Sequence, residues 1–275
     1  MKIHFNLITK LTFAIVLALV TFSCQDMDRP ELGDYPEDAN PVGGPLKFYV
    51  NFDLETTDPL KFAVDQIRAN FPTDNPLTKS TGITGNAVTG GIPKKFIQYS
   101  KPNDWANTVS TGFTIAFWMK HAAPTQTEFP FAMQNADHWA KANLFALFEG
   151  SVSSPVIKLH IDDSKPGDKW FEWTGSKAIT GIFDNQWHHL AFVYSSTTSD
   201  IIAYRDGTAF ASNSNWGTQG TISFDTSKVG GFRIGGSGNP EEGWMNSWTG
   251  SIDNFRLYNT SLSATEVQSL VTAKQ

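Results

Sequence analysis

Apolar and polar residues alternate over short stretches of this chain, and such alternation is typical of β-strands. In residues 111–120 (TGFTIAFWMK) the side chains of Phe113, Ile115 and Phe117 fall on one face of a predicted strand. Ala116 and Trp118 fall on the other face, so both faces are largely apolar. A strand of this kind is expected in a β-sandwich whose outer surface is partly covered.

Further short strands follow along the chain. We predict them at residues 46–52, 86–91, 96–99, 129–133, 143–148, 156–161, 170–173, 185–194, 201–204, 208–210, 232–236 and 250–258. Asp206-Gly207 stands between two of them, and glycine supplies the positive φ that a tight hairpin needs. Residues 54–85 are interrupted by prolines and are predicted as a long loop with one helical turn at 63–69. The pattern predicts an all-β, antiparallel two-sheet sandwich.

One short α-helix is predicted near the C-terminal end. Ser263 can cap its first turn, and Glu266 can return a hydrogen bond to the backbone N–H of Ser263, which is a capping box. Leu262 and Val267 stand where a hydrophobic staple forms. We therefore expect a short C-terminal helix that buries Val267 and Leu270 against the sandwich.

The first 45 residues differ in composition from the rest. Residues 1–23 contain two lysines and an apolar run of signal-peptide length, followed at once by Cys24, the only cysteine. This resembles a bacterial lipoprotein signal, and acidic residues 25–28 resemble the surface-export signal of Bacteroidetes lipoproteins. The resemblance implies lipidation of Cys24 and an anchor in the outer membrane at the cell surface. An ordinary secretory signal is the alternative.

Residues 24–45, rich in Pro, Gly and acids, are predicted to be a tether.

Three segments resemble laminin-G-like domains of the concanavalin A-like jelly-roll family. They are GFTIAFWMK (112–120), NQWHHLAFVY (185–194) and GSIDNFRLYN with SLSATEVQSL (250–270). The resemblance implies one jelly-roll domain over residues 46–275, in which the last strand pairs beside the first. At residues 89–91 the chain has Thr-Gly-Gly where many relatives have Phe-Asp-Gly, so an acidic contact of those relatives is missing.

Composition limits the partners of the protein. The net charge is −6, and no basic cluster occurs beyond Lys94-Lys95. Nucleic acid is therefore not an expected partner, because binding to phosphates rests on clustered Lys and Arg. With one cysteine, a disulfide or a cysteine metal site within the chain is excluded.

No catalytic pattern is visible. Glycoside hydrolases of the family carry Glu-x-Asp-x-x-Glu on one strand, since retaining hydrolysis needs two carboxyl groups about 5 Å apart. That spacing is absent, and we interpret the other acids as separate surface groups: Glu149, Asp162, Asp163, Glu172, Glu241 and Glu242. His188 and His189 are adjacent on a strand, so they point to opposite faces and cannot bind one ion. We predict no enzymatic activity.

A structural calcium ion is a further expectation from the family. Relatives often hold calcium between the end of the first strand and the Asp of the last strand, which here implies Asp53 and Asp253. Asn254 adds a neutral oxygen, and calcium binds several hard oxygen ligands. In the alternative, Asp53 caps a turn and Asp253 binds backbone groups.

Tryptophans near loops are the remaining candidates. Six tryptophans lie in or beside Gly/Asn/Ser-rich stretches, and we expect at most two or three of the six to face solvent. The six are Trp139, Trp170, Trp173, Trp216, Trp244 and Trp248. Residues 135–143 and 239–248 combine tryptophan with amides or acids, which suits sugar binding. Trp244 with Asn246, and Trp139 with His138, are the predicted ligand-binding residues. If Trp244 belongs to the core, that site is wrong.

These features together predict a cell-surface lipoprotein that acts as a non-catalytic binding module for a polysaccharide or other glycan, with other surface glycan-uptake proteins as potential neighbours. Family and fold do not decide the ligand, because this sandwich hosts several functions. Two alternatives stay open. The domain recognises another protein in adhesion, or it is a glycoside hydrolase with unfamiliar catalytic residues.

Overall fold

The computed structural model describes residues 44–53, 76–99, 111–133, 138–141, 144–163, 167–213, 217–225, 227, 230–237 and 248–274. All of them belong to one compact unit, Asn40–Gln275. The predicted signal (1–23), Cys24 and most of the tether lie outside these residues, as does the helical turn at 63–69.

Fourteen strands occur within the described residues. In chain order they are β1 (Leu46–Val50), β2 (Thr78–Thr81), β3 (Asn86–Thr89), β4 (Ile97–Tyr99), β5 (Gly112–Ala122), β6 (Phe131–Met133), β7 (Leu144–Gly150), β8 (Pro155–Asp163), β9 (Gly167–Trp173), β10 (Asp184–Ser195), β11 (Asp200–Arg205), β12 (Thr208–Ala209), β13 (Phe232–Ile234) and β14 (Ser251–Tyr258). One α-helix, α1 (Ala264–Thr272), follows, and short 3₁₀ turns lie at Trp139–Lys141 and Gly175–Lys177.

The strands form two antiparallel sheets. The larger sheet has the order β12-β11-β10-β5-β14-β3-β2, with β1 also paired to β14. The smaller sheet has the order β4-β13-β6-β7-β8-β9. The predicted all-β two-sheet sandwich is therefore confirmed, and so is the pairing of the last strand with the first. The long loop predicted for 54–85 is wrong at Thr78–Thr81, where four polar residues form an edge strand that apolar alternation could not reveal.

The core lies between the inner faces of the two sheets. Its centre is aromatic: the rings of Phe117 and Phe255 stack with centroids 5.5 Å apart, and Phe131 meets Phe255 at 5.4 Å. Phe48 of β1 packs edge-on against Tyr99 of β4, across the two sheets. All five side chains are buried. Burial of such rings is the main source of stability in the domain.

The edge of β14 is divided between two partners, and this division places several polar groups together. Its first residues, Ser251 and Ile252, pair with β3, whereas Phe255–Tyr258 pair with β1. Between them the register with β5 shifts after Asp253, and Asn254 has a φ of 50°. The end of β1, the β2–β3 turn and this bulge of β14 therefore meet at one point.

The C-terminal helix confirms the predicted capping signals. The Ser263 hydroxyl accepts from the Glu266 N–H, and the Glu266 carboxylate accepts from the Ser263 N–H at 2.7 Å. Val267 and Leu270 are buried in a second apolar cluster on the outer face of the larger sheet, with Ala116 and Ala191. This explains why β5 is apolar on both faces. The predicted turn at Asp206-Gly207 is also present, with φ values of 50° and 80°.

Candidate functional site

The outer face of the smaller sheet carries a cluster of aromatic residues separate from the main core. Alternate residues of a strand point to opposite faces. On β7 the side chains of Leu144 and Ala146 therefore join the core, while Phe145 points outward. Across the outer face, Phe145 pairs with His160 of β8, and His160 pairs with Trp170 of β9. Three neighbouring strands thus align a row of rings.

Trp139 completes this cluster from the 3₁₀ turn Trp139–Lys141. Its ring centroid lies 5.7 Å from Phe145 and 6.3 Å from Trp170, with an angle of 62° between the two indole planes. Phe145 and His160 are fully buried, whereas Trp139 and Trp170 are half-buried. We call Trp139 and Trp170 the aromatic corner. It is the accessible part of the cluster.

His138 supports the same region. Its Nδ1 atom accepts a hydrogen bond from the Ala140 N–H at 3.1 Å, and its ring lies 5.6 Å from that of Trp139. The structure therefore places the predicted residues Trp139 and His138 together, on the outer face of the smaller sheet. Their predicted role in ligand binding stays a prediction. Of the other tryptophans in the described ranges, Trp173 and Trp248 are fully buried.

Polar side chains lie beside the aromatic corner on the same face. Glu172 is two residues from Trp170 on β9, and Lys158 stands directly opposite Glu172 on β8. Both are half-buried. The Lys158 ammonium lies 3.0 Å from Glu149 Oε2, and the other Glu149 oxygen accepts from the Thr127 hydroxyl. A carboxylate and an ammonium next to a stacking surface are suited to bind hydroxyl groups. We call Lys158 and Glu172 the polar row.

A second polar site lies where β1, the β2–β3 turn and the bulge of β14 meet. Asp53 Oδ1 accepts from the Asn86 N–H at 2.6 Å, and Asp253 Oδ2 accepts from the Ile83 N–H at 2.9 Å. We call these two carboxylates the junction pair. A Cβ atom on Gly82 would lie 2.4 Å from Asp253 Oδ2, so the turn approaches the carboxylate closely because a glycine is there. Both carboxylates thus accept from backbone N–H groups, which is the alternative raised from the sequence for Asp253.

The junction pair also fits the chemistry of a cation. Asp253 is fully buried, and its Oδ1 atom has no hydrogen-bond partner. Burial raises the pKa of Asp253 to about 7; backbone N–H groups oppose this and the charge of Asp53 adds to it. A bound cation would satisfy Oδ1 and offset both charges. The side-chain oxygen of Asn254 already accepts from the Tyr49 hydroxyl at 2.9 Å. The described residues contain no group of three His, Cys, Asp or Glu arranged for a metal.

A buried contact between a histidine and a carboxyl group, which sequence reasoning did not find, lies at one end of the core. His121 of β5 and Glu128 are almost completely buried, with Nε2 and Oε2 2.9 Å apart. Thr249, just before β14, donates to Glu128 from its N–H at 2.7 Å and from its hydroxyl. Glu128 also forms a backbone bridge to Phe148 of the smaller sheet. Glu128 therefore links both sheets, the larger one through its carboxylate and the smaller one through its backbone. No sequence motif marks it, since its partners are 7 and 121 residues away.

The two adjacent histidines have different surroundings, as their positions on a strand predict. His188 is half-buried, and its ring nitrogens lie 2.8 Å from Asp206 and 3.0 Å from Asp184. The hydrogen bond with Asp206 raises the pKa of His188, with partial burial opposing and Asp184 adding to the rise. His189 is fully buried against Trp118, and burial lowers its pKa to about 3. The two rings do not meet.

Three predicted residues, Cys24, Trp244 and Asn246, lie outside the described residues. Their roles in lipidation and ligand binding stay predictions. Within the described part of the chain, no helix has the length and apolar character needed to cross a membrane.

Two antiparallel sheets packed around an aromatic core, with aromatic and polar side chains on an outer face, define a β-sandwich of the lectin type. The sequence profile of the concanavalin A-like lectin/glucanases superfamily, in its laminin-G form, matches residues 97–268. The chain belongs to this superfamily. No curated protein sequence matches the chain significantly.

Solved structures with the same fold include binding domains and an enzyme. Domain 4 of AbnA, an extracellular arabinanase from Geobacillus stearothermophilus, in complex with arabinotriose, is 18% identical, with a TM-score of 0.53 over 82% of this chain and 98% of that domain. The receptor binding domain of botulinum neurotoxin D is 11% identical, with a TM-score of 0.58 over 84% of this chain and 53% of that one. Trypanosoma rangeli sialidase in complex with 2,3-difluorosialic acid is 13% identical, with a TM-score of 0.52 over 86% and 34%. The chain spans about half of the neurotoxin domain and a third of the sialidase. At these identities the likeness shows the fold alone.

Proposed function

We propose that this protein is a non-catalytic carbohydrate-binding domain that binds a glycan on the outer face of its smaller sheet. The aromatic corner supports the proposal: Trp139 and Trp170 lie 6.3 Å apart and are only partly buried beside the polar row. Flat rings stack on the apolar faces of sugars, and the nearby carboxylate and ammonium bind hydroxyls. The arabinanase domain with the same fold, solved with arabinotriose, makes a glycan ligand reasonable.

A glycan array with residues 25–275 tests the proposal. Trp139→Ala and Trp170→Ala should each lower glycan retention about fivefold, because one stacking contact is worth on the order of 1 kcal/mol. Phe210→Ala changes a half-buried aromatic residue of the larger-sheet hairpin and should leave retention unchanged. Binding that survives both tryptophan substitutions would place the site elsewhere. Trp244→Ala and Asn246→Ala then test the other predicted stretch.

Recognition of a protein is the second candidate function. The observation in its favour is the fold shared with the receptor binding domain of botulinum neurotoxin D. Competition separates the two functions. A soluble polysaccharide should displace a glycan ligand from the domain and should not displace a protein partner.

Hydrolysis of the glycan is not part of the proposal. Glu149 is held by the Lys158 ammonium and the Thr127 hydroxyl, and Glu172 is the cross-strand neighbour of Lys158. Retaining catalysis needs two carboxyl groups about 5 Å apart on one surface, and the Glu-x-Asp-x-x-Glu spacing that supplies them in hydrolases of this fold is absent from the sequence. Release of reducing sugars from a polysaccharide panel would contradict the non-catalytic proposal.

We also propose that Cys24 is lipidated and holds the domain at the outer membrane, facing the cell exterior and beside other glycan-uptake proteins. The apolar run at residues 11–22, followed by Ser23 and then by the only cysteine of the chain, supports this proposal. Cys24→Ala should move the protein from the membrane fraction to the soluble fraction. If the variant still enters the detergent phase, lipidation of Cys24 is not the anchor.

A further inference from the structure

The outer face of the larger sheet extends beyond the helix that packs on it. Helix α1 covers Ala116 and Ala191, and the chain after it reaches Asn254, whose side-chain amide donates to the Lys274 backbone oxygen at 3.2 Å. Lys120 lies four residues beyond Ala116 on β5, which is about 13 Å along the strand. The strands therefore continue past the C-terminal end of the helix.

Five strands each place one side chain in a straight row across this part of the sheet. The register pairs each member with the next, from β10 through β5, β14 and β3 to β2. We call the row the larger-sheet row, and its members are Trp187, Lys120, Ser251, Thr89 and Thr78. The four steps between neighbouring strands span about 19 Å, which is enough for a short oligosaccharide to lie along the row.

The larger-sheet row points away from the core and is accessible. Met119, Val88 and Ile252 belong to the core, and side chains alternate along a strand, so the row residue next to each of them faces outward. Thr78 at the sheet edge is exposed, and the other four members are only partly buried. A ligand in solution can therefore reach every member of the row.

Hydroxyl groups at one half of the row form a directed chain. The Thr89 hydroxyl donates to Ser80 Oγ at 2.6 Å, and the Thr89 oxygen lies 2.7 Å from Ser251 Oγ. Because a hydroxyl has only one proton to donate, Ser251 is the donor to Thr89. The chain leaves the lone pairs of Ser251 and the proton of Ser80 unused. This half of the row therefore offers both an acceptor and a donor to the hydroxyl groups of a sugar.

The other half of the row combines a ring with a cation. Trp187 lies four residues from Ala191 on β10, so its indole is on the same outer face. Within the described part of the chain the Lys120 ammonium forms no ion pair, whereas the Lys158 ammonium of the smaller sheet is held by Glu149. No member of the row is acidic. An ammonium without a carboxylate partner, beside a flat ring and hydroxyls, is suited to an anionic sugar.

We propose that the larger-sheet row is a second binding site, on the opposite side of the sandwich from the aromatic corner, for an acidic oligosaccharide that carries uronate carboxylates. Trp187 stacks on one sugar, and the Lys120 ammonium binds a carboxylate. The hydroxyls of Ser251 and Ser80 bind sugar hydroxyls. The two sites share no residue, so the second site does not depend on the proposed site of the smaller sheet.

Titration calorimetry with matched probes tests the proposal. The acidic probes are tetragalacturonate and tetramannuronate, and the neutral probes are their fully methyl-esterified forms, which have the same sugars without the charges. Wild type should bind at least one acidic probe about threefold more tightly than its ester, the effect of one partly exposed ion pair. Lys120→Gln should remove this preference. Lys177→Gln removes the same charge from an exposed turn after β9 and should retain it.

The indole N–H signal of Trp187 in NMR spectra locates the ligand. The signal is identified by its loss in Trp187→Phe, and it should move when the preferred acidic probe is added. Trp187→Ala should weaken binding of the acid and of its ester alike, each about fivefold, because stacking does not need the charge. If the alanine variant melts at a lower temperature than wild type, Trp187→Phe, which keeps a ring, replaces it and should bind more tightly than the alanine variant.

Trp170→Ala separates this proposal from the proposed function. It changes the aromatic corner and should leave binding of the acidic probe at Trp187 unchanged. The second site is excluded if neither acidic probe binds, if each acid binds no better than its ester, or if the preference survives Lys120→Gln. Loss of the Trp187 response in Trp170→Ala would equally overturn it, since the two sites would then not be independent.

Discussion

The Nε2 atom of His121 and the Oε2 atom of Glu128 lie 2.9 Å apart in the interior, where Glu128 connects the two sheets of the sandwich. His121 belongs to the larger sheet, and Glu128 forms a backbone bridge to the smaller one. Thr249 adds hydrogen bonds from the start of β14. The carboxylate thus joins β5 to the start of β14, and the backbone of Glu128 joins both to the smaller sheet.

Glu128→Gln should destabilise the domain by about 1–3 kcal/mol, because an amide cannot accept all the hydrogen bonds that the carboxylate accepts and so leaves buried polar groups without partners. Denaturant unfolding followed by tryptophan fluorescence measures the change. Glu149→Gln is the matched control, since its contact with Lys158 is partly exposed and is expected to contribute about 1 kcal/mol or less. Equal effects of the two substitutions would contradict the structural role of Glu128.

The pair of aspartates around His188 predicts a pH dependence of stability. The hydrogen bond with Asp206 raises the pKa of His188, so the histidine contributes stability below its unfolded pKa of about 6.5 and loses it as the pH rises through the folded value. Partial burial alone would raise the pKa of Asp206, but hydrogen bonds from His188 and from the His189 N–H lower it. The Asp206 contribution is therefore present above pH about 3.9 and is lost in acid.

The melting temperature of wild type should accordingly exceed that of His188→Gln most clearly between pH about 4 and 6.5, and the difference should shrink at higher pH. Calorimetric scans at a series of pH values give this difference directly. A difference that stays constant from pH about 5 to 9 would show that His188 acts by packing and not by charge.

Calcium should stabilise the domain through the junction pair. A ligand that binds only the folded state adds RT ln(1 + [L]/Kd), which is about 2.7 kcal/mol at a hundredfold excess over Kd. EDTA should therefore lower the melting temperature of wild type. Asp253→Asn should abolish that response, and Asp225→Asn, which changes a carboxylate in the 217–225 loop, should retain it.

The pH dependence provides a second test of the junction pair. Burial raises the pKa of Asp253 to about 7, whereas the unfolded value is about 3.9. In EDTA the free energy of unfolding should therefore fall progressively as the pH rises from about 3.9 to about 7. Calcium competes with the proton and should remove this decline. In EDTA, Asp253→Asn should remove it as well. Identical melting curves with calcium and EDTA would exclude the cation.

Gly90 is predicted to tolerate no side chain. A Cβ atom there would lie 1.6 Å from the backbone oxygen of Trp248, which also accepts a hydrogen bond from the Gly91 N–H at 3.0 Å. Gly90→Ala should separate these two backbones and lower the yield of folded protein. Gly175→Ala is the control, because its φ of 57° costs about 1–2 kcal/mol and no atom lies within 4 Å of the added Cβ. A stable Gly90→Ala variant would contradict the close approach.

Local patterns explain which elements could be predicted. The alternation at residues 111–120 and the Ser263–Glu266 capping box act between residues a few positions apart, so each stretch of chain contains its own signal. The same holds for the Asp206-Gly207 turn. Thr78–Thr81 was missed because an edge strand with polar side chains is defined by its partner β3, to which it pairs from Thr78 to Thr81.

The sequence by itself determined the class of fold, the C-terminal helix and Trp139 as a candidate ligand-binding residue. The fold class depends on short-range periodicity, the helix on its capping residues, and the choice of Trp139 on the composition of its own segment. Only the tertiary structure decided which rings meet. Trp170 joins Trp139, although 31 positions separate them, because β7, β8 and β9 pair in a register that aligns Phe145, His160 and Trp170 on one face. Trp173, three residues further along β9, faces the core instead. Trp170 and Trp173 point to opposite faces because side chains alternate along a strand. Which of the two faces is covered depends on the position of the second sheet. The packing of one sheet on another is a long-range contact that no local pattern encodes.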